Sequence, residues 1–147
     1  MIVDDKLMKY VLFKKRTRQE VKEKCHLLNY EEDYTEEVLN YLEENDYIND
    51  EVYTKKYIAS VKKLKTVSRN EIKQDLLRRG VSEAIIEKYF DEDLQEFELQ
   101  SAIKLIQKKA RTMEVPKIKR FLQNKGYSYD IIRKAIDNCL EIEDNEE

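Results

Sequence analysis

Arg79-Gly80-Val81-Ser82-x-x-Ile85-Ile86 and Lys125-Gly126-Tyr127-Ser128-x-x-Ile131-Ile132 are two versions of one phrase, 46 residues apart (126 − 80). Sliding the chain by that interval also places Ile72 on Ile118 and Leu76 on Leu122. Self-similarity at such a period marks a supersecondary unit used more than once. In each copy a basic residue precedes a glycine, the pattern of a helix closing in the left-handed conformation that glycine adopts without steric penalty. The serine two positions further on is placed to cap the helix that follows.

A third copy lies upstream. Thr17-x-x-Glu20-Val21 parallels Ser68-x-x-Glu71-Ile72, and Thr35-x-x-Val38-Leu39 parallels Ser82-x-x-Ile85-Ile86. The second interval is 47 residues (82 − 35) and the first is 51 (72 − 21), a difference assigned to a short acidic insertion near Glu31-Glu32-Asp33. Ser or Thr followed three residues later by Glu is a capping box, in which two side chains satisfy orphan amides at a helix start. Thr17 and Ser68 therefore open helices, and Asn29 stands where the glycines stand in the other copies. Thr35, Ser82 and Ser128 are expected to cap the third helix of each copy, each followed within two residues by an acid that favours the positive end of the helix dipole. The first helices follow from 3.6-residue periodicity: Leu7, Tyr10 and Val11; then Tyr57, Ile58, Val61 and Leu64; then Ala102, Ile103, Ile106 and Ala110.

The expected fold class is all-α, three tandem three-helix repeats in an elongated array. Repeat one covers 1–48, repeat two 49–93 and repeat three 94–140, with an acidic tail at 141–147 too charged to pack and expected to be disordered. Asn49-Asp50-Glu51 and Asp91-Glu92-Asp93 mark the borders. Two glycines and one proline in 147 residues are too few for a sheet protein with many tight turns. The acidic amino terminus does not read as a secretory signal, and no apolar run approaches the ~18 residues of a membrane span. A monomeric cytoplasmic protein without membrane contact is expected. Cys25 and Cys139 form no CxxC pair and read as packing residues, and His26, the sole histidine, has no companion for a metal site or a triad. Neither a cofactor, a metal nor a catalytic group is expected, so an enzyme is disfavoured.

Charge runs in blocks beneath a net charge of −3. Residues 6–24 hold eight bases and two acids, 31–51 ten acids and no base, 52–80 nine bases and two acids, 83–98 one base and seven acids, and 104–125 eight bases and one acid. Each repeat is thus basic on its first two helices and acidic on its third, a pattern that can simply solvate the chain or present a positive stripe. The densest basic cluster is Lys55, Lys62, Lys63, Lys65, Arg69, Lys73, Arg78 and Arg79, the candidate contact to acidic side chains or phosphates. Tyr47, Tyr53, Tyr57, Tyr89, Tyr127 and Tyr129 flank the apolar stripes, where completing small cores is the favoured role and stacking on bases the alternative.

Tyr47-Ile48-Asn49-Asp50-Glu51-Val52-Tyr53, then Lys56-Tyr57-Ile58, then Ser68-Arg69-x-Glu71-Ile72-x-x-x-Leu76-x-x-x-Gly80-Val81, resembles the most characteristic stretch of the RecX family. Arg79-Gly80 and Lys125-Gly126 fit its Lys/Arg-Gly helix ends, and the resemblance extends from about residue 6 to 140. Two positions depart from the pattern: Lys65-Thr66-Val67, where the family often has a glycine, and Thr54, where it often has alanine. The resemblance implies a regulator of the RecA recombinase, hence of recombination, DNA repair and the SOS response. It would lodge in the groove of the RecA filament on single-stranded DNA and lower its ATPase, strand-exchange and coprotease activities. No catalytic residue comes with it. The alternative left by the basic blocks is a stand-alone helical DNA-binding module acting through its basic helices, with single-stranded DNA a further candidate partner.

Overall fold

The computed structural model describes residues 1–146, with side chains described through Leu140; the expectation made for the tail at 141–147 falls outside the fully described residues. Among the described residues there are nine α-helices and no strand. They fall in threes: α1 (Asp5–Phe13), α2 (Arg18–Leu27) and α3 (Glu32–Glu44); α4 (Asp50–Leu64), α5 (Arg69–Arg78) and α6 (Glu83–Lys88); α7 (Glu92–Lys109), α8 (Val115–Asn124) and α9 (Tyr129–Glu146). Spatial proximity divides the chain differently, into two compact units. One is Met1–Tyr57 with Leu76–Glu87 and the other Ile58–Asp75 with Lys88–Glu147, so α4 and α5, and α6 at its last residue, contribute to both.

In the first unit α1 packs on α2 and α2 on α3, around Leu7, Val21, Cys25, Val38, Leu39 and Leu42, all without exposed surface. In the second, α7, α8 and α9 pack pairwise around Ala102, Ile106, Ile118, Leu122, Ile131 and Ala135. Each fully buried aliphatic side chain contributes about 1.5–3 kcal/mol of transfer free energy. Short helices in repeats need this, because a helix of about ten residues is marginal in isolation.

The helix ends follow the sequence closely in most places. Thr17 and Glu20 form the full capping box of α2. Ser68 and Glu71 do the same for α5, with the Glu71 N–H donating to Ser68 Oγ at 3.1 Å and the Ser68 N–H to Glu71 Oε1 at 3.2 Å. Asn29, Gly80 and Gly126 all take positive φ (61°, 88° and 95°), and Ser82 and Ser128 cap α6 and α9. Thr35 does not cap α3. That helix starts a turn earlier, at Glu32, and Thr35 is buried within it, its hydroxyl donating back to the Glu31 carbonyl at 2.9 Å. The acidic insertion near Glu31, Glu32 and Asp33 is taken up in the helix: Glu31 precedes it, and Glu32 and Asp33 lie in its first turn, where the dipole favours negative charge. Leu64 and Ala110 also differ from expectation. Both lie on the predicted apolar stripe, yet they end α4 and cap α7, beyond the reach of the core, and both are exposed.

Consecutive repeats meet through one joint used twice. In the first unit the Thr17 hydroxyl donates to the Arg79 carbonyl at 2.6 Å, and the Arg18 N–H donates to Asp50 Oδ1 at 2.9 Å. In the second, Ser68 Oγ donates to the Lys125 carbonyl at 2.8 Å and the Arg69 N–H to Glu98 Oε2 at 2.6 Å. The start of one repeat's second helix thus seats on the glycine-ended second helix of the next, while an acid from that next repeat's first helix takes the neighbouring amide. The glycines are required for contact as well as for φ. A Cβ on Gly80 would lie 2.2 Å from Gln19 Cβ, and one on Gly126 would lie 2.8 Å from Asn70 Nδ2. In α8 the equivalent position is Glu114, followed by Val115 and Pro116, and its side chain makes no capping bond.

Candidate partner-binding surface

The eight basic residues singled out in the sequence divide between the two units. Lys55, Arg78 and Arg79 belong to the first, and Lys62, Lys63, Lys65, Arg69 and Lys73 to the second. Three of them are bound up in internal contacts. Arg69 donates through Nε to Glu98 Oε1 at 2.9 Å, in addition to its backbone bond, and Glu98 is only 2% exposed. A buried carboxylate is tolerated only when paired and hydrogen-bonded, so this arginine neutralises the acid at the heart of the joint. Arg79 donates from Nη1 to the Tyr53 hydroxyl and lies 5.2 Å from the centre of the Tyr57 ring, which stacks on Tyr53. Lys62 pairs with Asp93.

The remaining five are more open. Lys55, Lys63, Lys65 and Arg78 are exposed and Lys73 half-buried; Lys55, Lys73 and Arg78 hold further interactions of their own. The ammonium groups of Lys63 and Lys65 have no hydrogen-bond or ion-pair partner among the described residues and face water. They belong to a run, 62–70, that contains no acid and links the end of α4 to the start of α5. The corresponding link in the first repeat, Leu12 to Gln19, is also free of acids and presents Lys14 and Lys15 to solvent. Lys14 and Lys15 lie in the basic block 6–24 but are not among the candidate contacts, although aligning the caps Thr17 and Ser68 brings the two segments together.

Acids complement these segments from elsewhere in each unit. Arg18 Nη2 pairs with Glu36 at 2.9 Å, and Nη1 lies 2.8 Å from Glu43. Asp50, which accepts the Arg18 N–H, has its carboxyl pushed up from the usual range chiefly by burial, opposed by that hydrogen bond. Of the seven acids in 83–98, five lie at the cap or in the first half of α7 and not on α6, so acidity is shared between the end of one repeat and the beginning of the next. The tyrosines divide as well: Tyr53 and Tyr127 are buried, Tyr57 and Tyr89 half-buried, Tyr47 and Tyr129 exposed. The buried hydroxyls of Tyr30 and Tyr127 make no well-formed hydrogen bond, though they face Asp4 and Ser101, and burial pushes the Tyr30 phenol up to about 12 and Tyr127 higher still.

Among the described residues, no three His, Cys, Asp or Glu side chains are grouped to hold a metal, and no helix is long and apolar enough to cross a membrane. A cavity of about 610 Å³ in the third repeat is lined mainly by apolar groups, among them Ile106, Met113, Val115, Ile118, Ile136 and Leu140. The arrangement offers solvated cations for contact with an acidic partner and no constellation pairing a nucleophile with a base.

Comparison with known proteins places these features in a family. Residues 49–89 match the model of the RecX second three-helix domain and residues 96–136 that of the third, together more than half of the chain. The chain is 31% identical over 137 residues to a protein named regulatory protein RecX from Clostridium botulinum, covering 87% of this chain and 64% of that one. A protein of the same name from Lactococcus lactis is 34% identical over 150 residues, covering 94% of this chain and 55% of its own length. The chain therefore spans between about half and two thirds of these relatives. The crystal structure of RecX from Lactobacillus salivarius superposes with a TM-score of 0.81 at 28% identity, covering 91% of this chain and 92% of that one.

Proposed function

The chain belongs to the RecX family, and from that premise we propose that it regulates the RecA recombinase by binding the RecA filament on single-stranded DNA. In this reading it acts in the cytoplasm, in recombination, DNA repair and the SOS response. It lowers the filament's ATPase, strand-exchange and coprotease activities and carries out no reaction of its own. The observation that carries the proposal is the pair of family matches, which fall on the two repeats containing the Lys/Arg-Gly helix ends and most of the joint residues. A repeated module suits a polymeric partner, because several modest contacts on linked modules combine into strong overall binding.

Within this proposal the contact is electrostatic in part. Lys63 and Lys65 are the cations of choice, whereas Arg69, Arg79 and Lys62 act in the fold. Each solvated lysine that meets a carboxylate or phosphate forms a charge-assisted hydrogen bond and weakens with added salt. The test is co-sedimentation of the full chain with RecA filaments assembled on single-stranded DNA, in parallel with the bare DNA, at two salt concentrations. Retention by filaments and not by DNA alone supports the proposal, with K63E/K65E reducing it. Equal retention by bare DNA favours the stand-alone DNA-binding reading, for which the same two lysines are the motive.

A further inference from the structure

Large apolar side chains in water occur singly on most proteins and need no explanation; the same exposure at the same place in successive repeats does. Phe13 ends α1 and Leu64 ends α4, each four residues before the cap of the next helix, Thr17 or Ser68. Phe13 is 82% exposed and Leu64 78%, and Leu12, beside Phe13, is 65% exposed. Exposed lysines flank both: Lys14 and Lys15 follow Phe13, and Lys63 and Lys65 bracket Leu64. None of the four ammonium groups has a partner among the described residues, and neither segment contains an acid. In the third repeat the equivalent position is Ala110, with Arg111 after it, both exposed. Each repeat therefore ends its first helix in an apolar tip set among cations, large in the first two copies and small in the third.

We infer that the tips at Phe13 and Leu64 are docking points on a protein whose surface presents apolar pockets edged by acidic side chains, the same pocket recurring on successive copies of one subunit. The inference rests on the reading that the chain binds a protein filament, and it names the surface and the chemistry of that contact. Charge fixes the sign of the partner: unpaired lysines meet carboxylates or phosphates. The apolar member separates these two. An aliphatic side chain such as Leu64 gains nothing beside phosphates and has no ring to stack on a base, whereas it gains by entering an apolar pocket. An anchor of this type, central and ringed by polar contacts, commonly carries most of the binding energy of an interface.

The test compares the full chain with the double variant F13S/L64S and with the conservative F13L/L64M, titrated against RecA filaments on single-stranded DNA and against the bare DNA. Because both side chains face solvent, thermal melting of the variants is expected to match the wild type. Filament affinity of F13S/L64S is expected to fall about tenfold to a hundredfold, that of F13L/L64M to stay within about threefold, and affinity for bare DNA to stay unchanged. Undiminished filament affinity of F13S/L64S overturns the inference, as does an equal loss on bare DNA. No filament binding by the wild-type chain overturns the underlying reading instead.

Discussion

Replacing Gly80 by alanine tests the joint where it is tightest. Alanine at φ 88° costs about 1–2 kcal/mol in backbone strain. Its Cβ would also fall 2.2 Å from Gln19 Cβ and 2.7 Å from Gln19 Cγ. Ordinary carbon contacts are about 3.5–4.0 Å, and Cβ is not the movable end of a side chain, so the start of α2 has to move. That movement stretches the 2.6 Å bond from Thr17 to the Arg79 carbonyl, worth about 1 kcal/mol. Overpacking adds about 1–3 kcal/mol, for a total near 3–6 kcal/mol. Gly126 provides an internal comparison. Its Cβ would meet the amide of Asn70 at 2.8 Å, which can rotate away, and also Asn70 Cβ at 3.0 Å and Ser68 Oγ at 3.1 Å, which need give by only a few tenths of an ångström, so G126A is expected to cost about 2–3 kcal/mol, less than G80A. Urea unfolding followed by helical circular dichroism gives both values, and Q19G, which removes the Cβ in the way, should recover about 1 kcal/mol or more in the G80A background. Equal destabilisation by G80A and G126A, with no coupling between G80A and Q19G, refutes the reasoning.

Two further outcomes follow from buried polar groups. E98Q removes the charge that Arg69 neutralises at 2% exposure, and should lower stability by about 2–4 kcal/mol in thermal or urea unfolding; a change below about 0.5 kcal/mol would mean the joint does not depend on the ion pair. Tyr127 has its phenol pushed well above the ordinary value of 10.0 by burial. The unfolded chain therefore releases this proton first, and the associated stability, complete below about pH 10, is lost as pH rises beyond it. Y127F should unfold less readily than wild type above pH 10, and at neutral pH it should stay within about 1 kcal/mol of wild type, since the lost hydroxyl makes no well-formed hydrogen bond and only faces Ser101. Identical alkaline unfolding of the two proteins would contradict this.

Much of the fold is visible in the sequence because its signals are local. The boxes Thr17/Glu20 and Ser68/Glu71, the left-handed positions Asn29, Gly80 and Gly126, and the serine caps at 82 and 128 each involve residues within a turn of one another. Thr35 failed for an equally local reason. A threonine can satisfy itself by donating to the carbonyl four residues back, and the acidic run before it serves as a first turn without a cap. Less legible is whatever depends on a distant partner. Arg69 looks like a free cation until Glu98 is brought to it, and Arg79 until Tyr53 and Tyr57 are. The repeat itself held a clue. Arg18 and Arg69 occupy the same place after their caps, which marks a structural requirement shared by both copies more than a contact special to one. Leu64 shows the opposite case, since its periodicity belongs to the core although the helix ends there.

ATP hydrolysis by RecA on single-stranded DNA, followed while the full chain is titrated in, bears most directly on the central claim. The account predicts inhibition at less than one chain per RecA subunit, relieved by raised salt and weakened in K63E/K65E while the melting temperature of that variant stays unchanged. Hydrolysis that continues unaffected at low salt, up to and beyond one chain per RecA subunit, would contradict it.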